Sequence, residues 1–285
     1  MKTSTQLKAL IRNLSKKSNV GAEILLRSFM LERFLERVAV SGYKHKFILK
    51  GGMLIAAMVG IDTRTTMDMD ATIKGQTLTA SEVTAIVEEI LNTPIDDGVE
   101  LTLRGIEEIR EEADYPGYRV SIAAVLDNTR QTLKVDITTG DFVTPREIEY
   151  SFKLMFEDRT IGILAYNLET VLAEKLETVV TRGVTNTRMR DFYDIHILTT
   201  TQAFDPDTFR AALRRTVEKR GTAEQMADMP DVITMVEESP VMVERWEKYR
   251  KKYAYAADVT WAVAIGAVKA LAGLAGQTEA AVLTC

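Results

Sequence analysis

The sequence predicts an α+β chain in which a mixed sheet with flanking helices is followed by an all-helical region. Three patterns carry this expectation. Ile24, Leu25, Met30, Leu31, Phe34, Leu35 and Val38 recur at helical spacing, Leu133 to Thr138 alternates strictly, and nearly everything from Asn167 onward has helical period. The expected division is an α+β domain over residues 1–160 and a helical domain over 161–285.

Taken in order, Met1 to Ser18 is polar and basic with no apolar core of a secretory signal. The first amphipathic helix should then end near Ser41-Gly42 and pack on the sheet. Phe47 to Leu49 is a short apolar lead-in to Gly51-Gly52, and Leu54 to Met58 continues from that turn as a helix. Ser81 to Leu91 reads as a helix broken by Asn92-Thr93-Pro94. Strands follow at Glu100 to Leu103, Tyr118 to Leu126 and Thr132 to Thr138, and Thr144-Pro145 opens a connecting segment. Asp205-Pro206 and Ser239-Pro240 place a cap residue before Pro at the first helical position, so each should start a helix. The apolar stretch from Trp261 to Val268, bounded by Asp258 and Lys269, is too short to span a bilayer and reads as a packed helix.

The chemistry-bearing stretch is Lys50-Gly51-Gly52 followed by Asp68-Met69-Asp70. Side chains alternate along a strand, so Asp68, Asp70 and Thr72 share one face and Met67, Met69, Ala71 and Ile73 the other. Such a carboxylate pair can hold Mg²⁺, which takes one or two carboxylates, waters and substrate phosphate oxygens. Without Cβ atoms, Gly51 and Gly52 let backbone N–H groups approach a phosphate. Either motif alone is weak, since exposed D-x-D is often solvated charge and Gly-Gly a turn. Asp136 offers a third carboxylate if its strand pairs beside the first with the polar face on the same side. A surface strand carrying Lys134 and Asp136 without a partner is the alternative, and spacing leaves both open.

In the helix from Asn167, Lys175 falls within the apolar stripe of Leu168, Val171, Leu172, Leu176 and Val179. An inward ammonium must snorkel to the edge or meet an anion. In the next helix Met189, Phe192 and Ile195 form a core face, and the spacings of Arg188 to Asp191 and Arg190 to Asp194 suit intrahelical ion pairs.

The run Phe47 to Gly52, then Arg64-Thr65-Thr66-Met67-Asp68-Met69-Asp70, then Ala173-Glu174-Lys175-Leu176 and Arg190-Asp191-Phe192-Tyr193-Asp194, resembles the AbiEii/AbiGii family of nucleotidyltransferase toxins over roughly residues 1 to 200. The resemblance implies a DNA polymerase β-like nucleotidyltransferase fold, a bacterial or phage-defence origin, and a neighbouring antitoxin. It implies an enzyme using Mg²⁺ (or Mn²⁺) and a nucleoside triphosphate (NTP), with the 3′ end of tRNA as acceptor. Asp68, Asp70 and Asp136 would bind metal or act as base, and Lys50, Gly51 and Gly52 would contact phosphate. Lys175 would neutralise the triphosphate, and Asp191, Asp194 and Arg190 would close the nucleotide site. Where related enzymes carry Gly-Ser, this chain reads Gly51-Gly52-Met53, so Thr65 or Thr66 would have to supply a hydroxyl. A protein or small-molecule hydroxyl is the rival acceptor, and a non-catalytic nucleotide-binding partner protein the rival from another class.

Composition agrees with a cytoplasmic enzyme. At 285 residues and 46% hydrophobic content the chain can bury a core, and its one cysteine, Cys285, permits no intrachain disulfide. A net charge of −5 argues against a protein coated in positive charge, but its distribution is uneven. Acids crowd Asp96 to Asp114. Basic residues crowd the later half, at Arg182, Arg188 and Arg190, then Arg210, Arg214, Arg215, Lys219 and Arg220, then Arg245 to Lys252. They are a solvated face or a local surface for a nucleic acid.

Overall fold

The computed structural model describes residues 3–75, 78–109 and 117–276, so Cys285 and the acids at 110–116 lie outside the described residues. The chain divides into two compact units, Met1–Asp141 with Glu147–Tyr166, and Phe142–Arg146 with Asn167–Cys285.

The first unit is built on one seven-stranded sheet. Its helices are α1 (Ser4–Ser18), α2 (Ala22–Val40), α3 (Gly51–Val59) and α4 (Ala80–Leu91). Its strands are β1 (Phe47–Lys50), β2 (Met69–Ile73), β3 (Glu100–Ile109), β4 (Gly117–Leu126), β5 (Thr129–Thr139), β6 (Ile148–Lys153) and β7 (Thr160–Ala165). The strand order is β3-β4-β5-β2-β1-β7-β6. Strand β2 runs antiparallel to β1 and parallel to β5, while β1 runs parallel to β7, so the sheet is mixed.

Three features of this unit depart from the sequence reading. Residues 4–18 form a helix, with the Thr3 hydroxyl accepting from the Gln6 amide, although only Ser4, Leu7 and Ile11 are buried along it. So narrow an apolar stripe is hard to detect by periodicity. The stretch after Thr144-Pro145 contains strands β6 and β7 as well as a connection. Strand β6 lies at the sheet edge with only Phe152 buried, yet Ile148, Tyr150 and Phe152 alternate with Glu149, Ser151 and Lys153, a strand signal that the sequence reading passed over.

The third departure is α2, which is buried on nearly every side from Ser28 to Ala39. Its polar side is closed by charge pairing. Arg37 grips Asp97 through both guanidinium nitrogens at 2.8 and 3.2 Å and donates to the Val99 carbonyl at 2.7 Å. Arg33 reaches Glu36 at 2.9 Å and Glu157 at 2.8 Å, and Arg159 bridges Glu36 and Glu157. Glu32 accepts from the Met155 amide at 3.1 Å. Burial pushes its carboxyl up to about 8, against the opposing pull of that amide and of Arg33. Three carboxylates, Glu32, Glu36 and Glu157, lie around the guanidiniums of Arg33 and Arg159, and Glu32, 3.8 Å from Arg33 where Glu36 is at 2.9 Å, is the one whose proton burial favours.

The second unit is helical: α5 (Leu168–Arg182), α6 (Met189–Thr201), α7 (Pro206–Arg220), α8 (Ala223–Ala227), α9 (Met229–Glu238), α10 (Pro240–Lys252) and α11 (Trp261–Gly276). The Asn167 side chain accepts from the Thr170 amide at 2.8 Å and that of Asp205 from Thr208 at 2.7 Å, which fixes the starts of α5 and α7. Helix α10 begins at Pro240 as the sequence predicts, but the Ser239 side chain makes no capping bond. Phe192, Trp246 and Trp261 meet at ring-centroid distances of 5.3 and 6.0 Å, so α11 is packed through its Trp261 end. Among the described residues no helix is long and apolar enough to cross a membrane.

Candidate active site

The first unit brings its expected site residues together through strand register. Lys50 on β1 stands opposite Asp70 on β2, Asp70 opposite Asp136 on β5, and Asp136 opposite Arg119 on β4. Residues paired across neighbouring strands share a face, so the four form one row, cation, acid, acid, cation. The condition placed on Asp136 by the sequence is therefore met: its strand lies directly beside the D-x-D strand. Asp68 stands just before β2 and acts electrostatically on Asp70.

The two ends of the row differ. Arg119 holds Asp136 as a fork, Nε to Oδ1 at 2.8 Å and Nη2 to Oδ2 at 2.7 Å, and this pairing raises the arginine's affinity for its proton. At the other end the Lys50 ammonium lies 2.7 Å from Asp141, which also accepts from the Thr138 hydroxyl at 2.6 Å. That ammonium stands 5.7 Å from the centre of the Tyr166 ring. Asp70 between them is the strained member. Burial raises its carboxyl above the ordinary aspartate range, and Asp136 and Asp68 raise it further, while Lys50 and the Gly52 amide pull it down.

The glycines are required by contact. Helix α3 starts directly from β1, with Gly51 at φ 67°, a conformation that disfavours a side chain. A Cβ on Gly51 would fall inside the Asp70 carboxylate. At Gly52 a Cβ would lie 2.8 Å from the Thr66 hydroxyl oxygen and 3.3 Å from an Arg64 nitrogen. Thr66 is thus the hydroxyl that stands at the glycine turn, and it donates to the Asp68 carbonyl at 3.1 Å. Thr65 is buried, and its carbonyl accepts from Arg64.

Among the described residues no group of three His, Cys, Asp or Glu side chains is arranged to hold a metal ion. Asp136 in particular has both oxygens in the Arg119 fork. Asp68 and Asp70 remain as oxygen donors of the kind a hard divalent cation takes, and Mg²⁺ needs only one or two carboxylates besides water and phosphate. The raised Asp70 carboxyl is the observation that fits such an ion: its charge is opposed by burial and two neighbouring acids, and a cation would relieve it.

The remaining expected residues lie in the helical unit. The Lys175 ammonium on α5 sits 2.8 Å from Asp191 and 2.8 Å from Asp194, both on α6, and Arg188 approaches Asp191 at 3.1 Å. Burial alone would lower the lysine, but the two carboxylates hold it above its ordinary value. The inward lysine therefore meets its anions within the chain. Arg190 does not pair with Asp194 as the four-residue spacing suggests; its guanidinium donates to the Tyr253 hydroxyl at 2.9 Å and lies over that ring.

Sequence reasoning missed Arg119, Asp141 and Arg64. Arg119 had a signal, since the alternation of Tyr118 to Leu126 puts it on the non-core face. Asp141 follows Gly140 beyond the end of β5, where no periodicity points to it.

Comparison with known proteins agrees with this architecture. The family profile described as "Nucleotidyl transferase AbiEii toxin, Type IV TA system" matches residues 33–265. No curated protein matches the chain in sequence. Among solved structures, MenT4, the nucleotidyltransferase toxin Rv2826c from Mycobacterium tuberculosis H37Rv, is similar with a TM-score of 0.57 at 16% identity, covering 94% of this chain and 98% of its own. JHP933 from Helicobacter pylori is similar with a TM-score of 0.52 at 17% identity, covering 90% of this chain and 93% of its own. At such identities the likeness is one of fold, and the family match carries the function. The chain belongs to the AbiEii family of nucleotidyltransferase toxins of type IV toxin–antitoxin systems.

Proposed function

We propose that this toxin transfers a nucleotide from an NTP to the 3′ end of tRNA, using Mg²⁺ (or Mn²⁺) held by Asp68 and Asp70. The observation that carries the reading is the row Lys50, Asp70, Asp136, Arg119 beside a glycine turn whose first residue admits no Cβ. When bound, the cation would neutralise phosphate charge and polarise the bond to the leaving pyrophosphate. Without side chains, Gly51 and Gly52 bring the start of α3 directly against the Asp70 carboxylate and the Thr66 hydroxyl, so a phosphate on a cation at Asp70 would meet the first N–H groups of the helix. Lys50, shared between Asp70 and Asp141, would donate to a phosphate oxygen when Asp70 engages the ion.

Asp136 keeps a second lone pair on each oxygen although Arg119 fills the first, so it can accept the hydrogen bond of an attacking 3′-hydroxyl. The Arg119 fork sets the direction in which it does so. Lys175 would have to exchange Asp191 or Asp194 for a phosphate to neutralise a triphosphate; we assign Lys175, Asp191 and Asp194 to holding α5 against α6, with Arg190 anchored on Tyr253. The family further implies a cognate antitoxin.

The test supplies each labelled NTP with intact tRNA, tRNA lacking its terminal adenosine, or total protein, with and without a chelator. Label on intact tRNA that chelation abolishes is the expected result. Label on protein alone, or label undiminished by the chelator, overturns the acceptor or the metal assignment respectively.

A further inference from the structure

Phe142 leaves half of its surface, 50%, in solvent, an unfavourable place for an apolar ring. Two cations stand over it. The Arg215 guanidinium lies 4.5 Å from the ring centre and the Lys219 ammonium 5.7 Å, one turn apart on α7, with Arg214 exposed beside them. Arg215 also meets Glu218 at 3.0 Å.

The segment that follows the ring is anchored. The Thr144 amide donates to the Thr170 hydroxyl at 3.1 Å, and the carbonyls of Thr144 and Arg146 accept from the Asn167 side chain at 2.7 and 3.0 Å. Thr144 and Arg146 are thus tied to the start of α5, which restrains the segment that carries the exposed phenyl two residues before Thr144.

Most of the other basic residues in the later half are engaged in packing. Arg210 bonds Asp207 and the Leu274 carbonyl, Arg220 meets Glu174 and Glu177, and Arg245 donates to the carbonyls of Val184 and Asn186. Arg190 and Lys252 lie over Tyr253, but that ring packs against Tyr249 and Tyr255. Phe142 is different: two cations gather on a ring that is half exposed.

We propose that Phe142, Arg215 and Lys219 form a stacking platform for an unpaired base of the RNA acceptor, the cations taking the adjoining phosphates. An aromatic face accepts any base, and flanking cations match the sugar–phosphate chain, which is the combination single-stranded nucleic acid needs. The proposal rests on the RNA-acceptor reading above and adds the surface that grips its single-stranded end.

The probe is a fluorescent single-stranded RNA of about ten nucleotides, compared with the same sequence as a blunt duplex. The full-length protein should prefer the single strand. Phe142→Ala should weaken its binding by about 5- to 100-fold, Phe142→Trp should restore it, and the salt slope should stay unchanged because no phosphate contact is lost. Arg215→Gln with Lys219→Gln should instead reduce that slope. Equal affinity of wild type and Phe142→Ala, or no binding of the single strand by wild type, overturns the platform. Transfer assays on tRNA keep the two ideas apart: if wild type labels tRNA and Phe142→Ala leaves its KM unchanged, the platform is wrong and the acceptor reading stands. If wild type labels only protein, the acceptor reading is wrong, and the oligonucleotide comparison alone decides the platform.

Discussion

The carboxylates around Asp70 and those around Lys175 look alike in sequence, yet they close their charge differently. In the helical unit Asp191 and Asp194 meet Lys175 and Arg188, and the acids are answered by bases of the same chain. In the sheet unit Asp70 is crowded by Asp136 and Asp68, while Lys50, the cation that draws on its charge, is shared with Asp141. A set that balances itself is a clamp, and a set left too negative has a use for something from outside. The buried cluster on α2 resolves the same excess with a proton on Glu32.

The strongest way to break this contrast is Asp70→Asn. It should lower nucleotide transfer by roughly a thousandfold or more, because several kcal/mol of transition-state charge stabilisation depend on the carboxylate. Its thermal stability should be kept or raised, since a half-buried charge crowded by two other acids is removed. Near-normal turnover in the folded variant would show that the acid serves the fold.

Lys175→Met should behave in the opposite way. It strands Asp191 and Asp194, both buried, without their ammonium, a loss of about 3–5 kcal/mol. Urea unfolding of variant and wild type measures this. An unchanged midpoint together with lost transfer would return Lys175 to the triphosphate role.

Glu32 sharpens the comparison by pH. Its folded carboxyl titrates near 8 and its unfolded one near 4.5, so the folded state binds the extra proton between these values. Stability should therefore fall as pH rises through that window, by on the order of 3 kcal/mol between pH 5 and 8. Glu32→Gln, which can still accept from the Met155 amide, should flatten the slope. A wild-type slope matching that of the variant would place the proton elsewhere.

Much of this was legible in the sequence where local pattern and burial agree. The helix after Gly51-Gly52, the strand bearing Asp136 and the Pro-started helices α7 and α10 follow from spacing and caps. What escaped depended on distant partners. Glu32, Arg33, Glu36 and Arg37 read as the wet side of an amphipathic helix, but Asp97, Glu157 and Arg159 cover them. Strand β6, by contrast, was legible and was passed over: Ile148, Tyr150 and Phe152 alternate with Glu149, Ser151 and Lys153. The partners of Lys175 were present in the sequence, but only the packing of α5 on α6 shows that they meet it.

The charge row has one further consequence, for the timing of folding. Its four members come from four strands, and the β2–β5 pairing joins positions as far as 66 residues apart. The Lys50–Asp70 and Arg119–Asp136 pairs are each local, but joining them closes this long loop at a cost in entropy, so the row is complete only when β5 seats beside β2. A growing chain is harmless until β5 has been made and has slotted beside β2. Any agent that unzips this one parallel pair disarms the toxin without touching a reacting group. On refolding, protection of the β5 amides from hydrogen exchange and the return of transfer should follow a single time course, and activity returning before that protection would disprove the link.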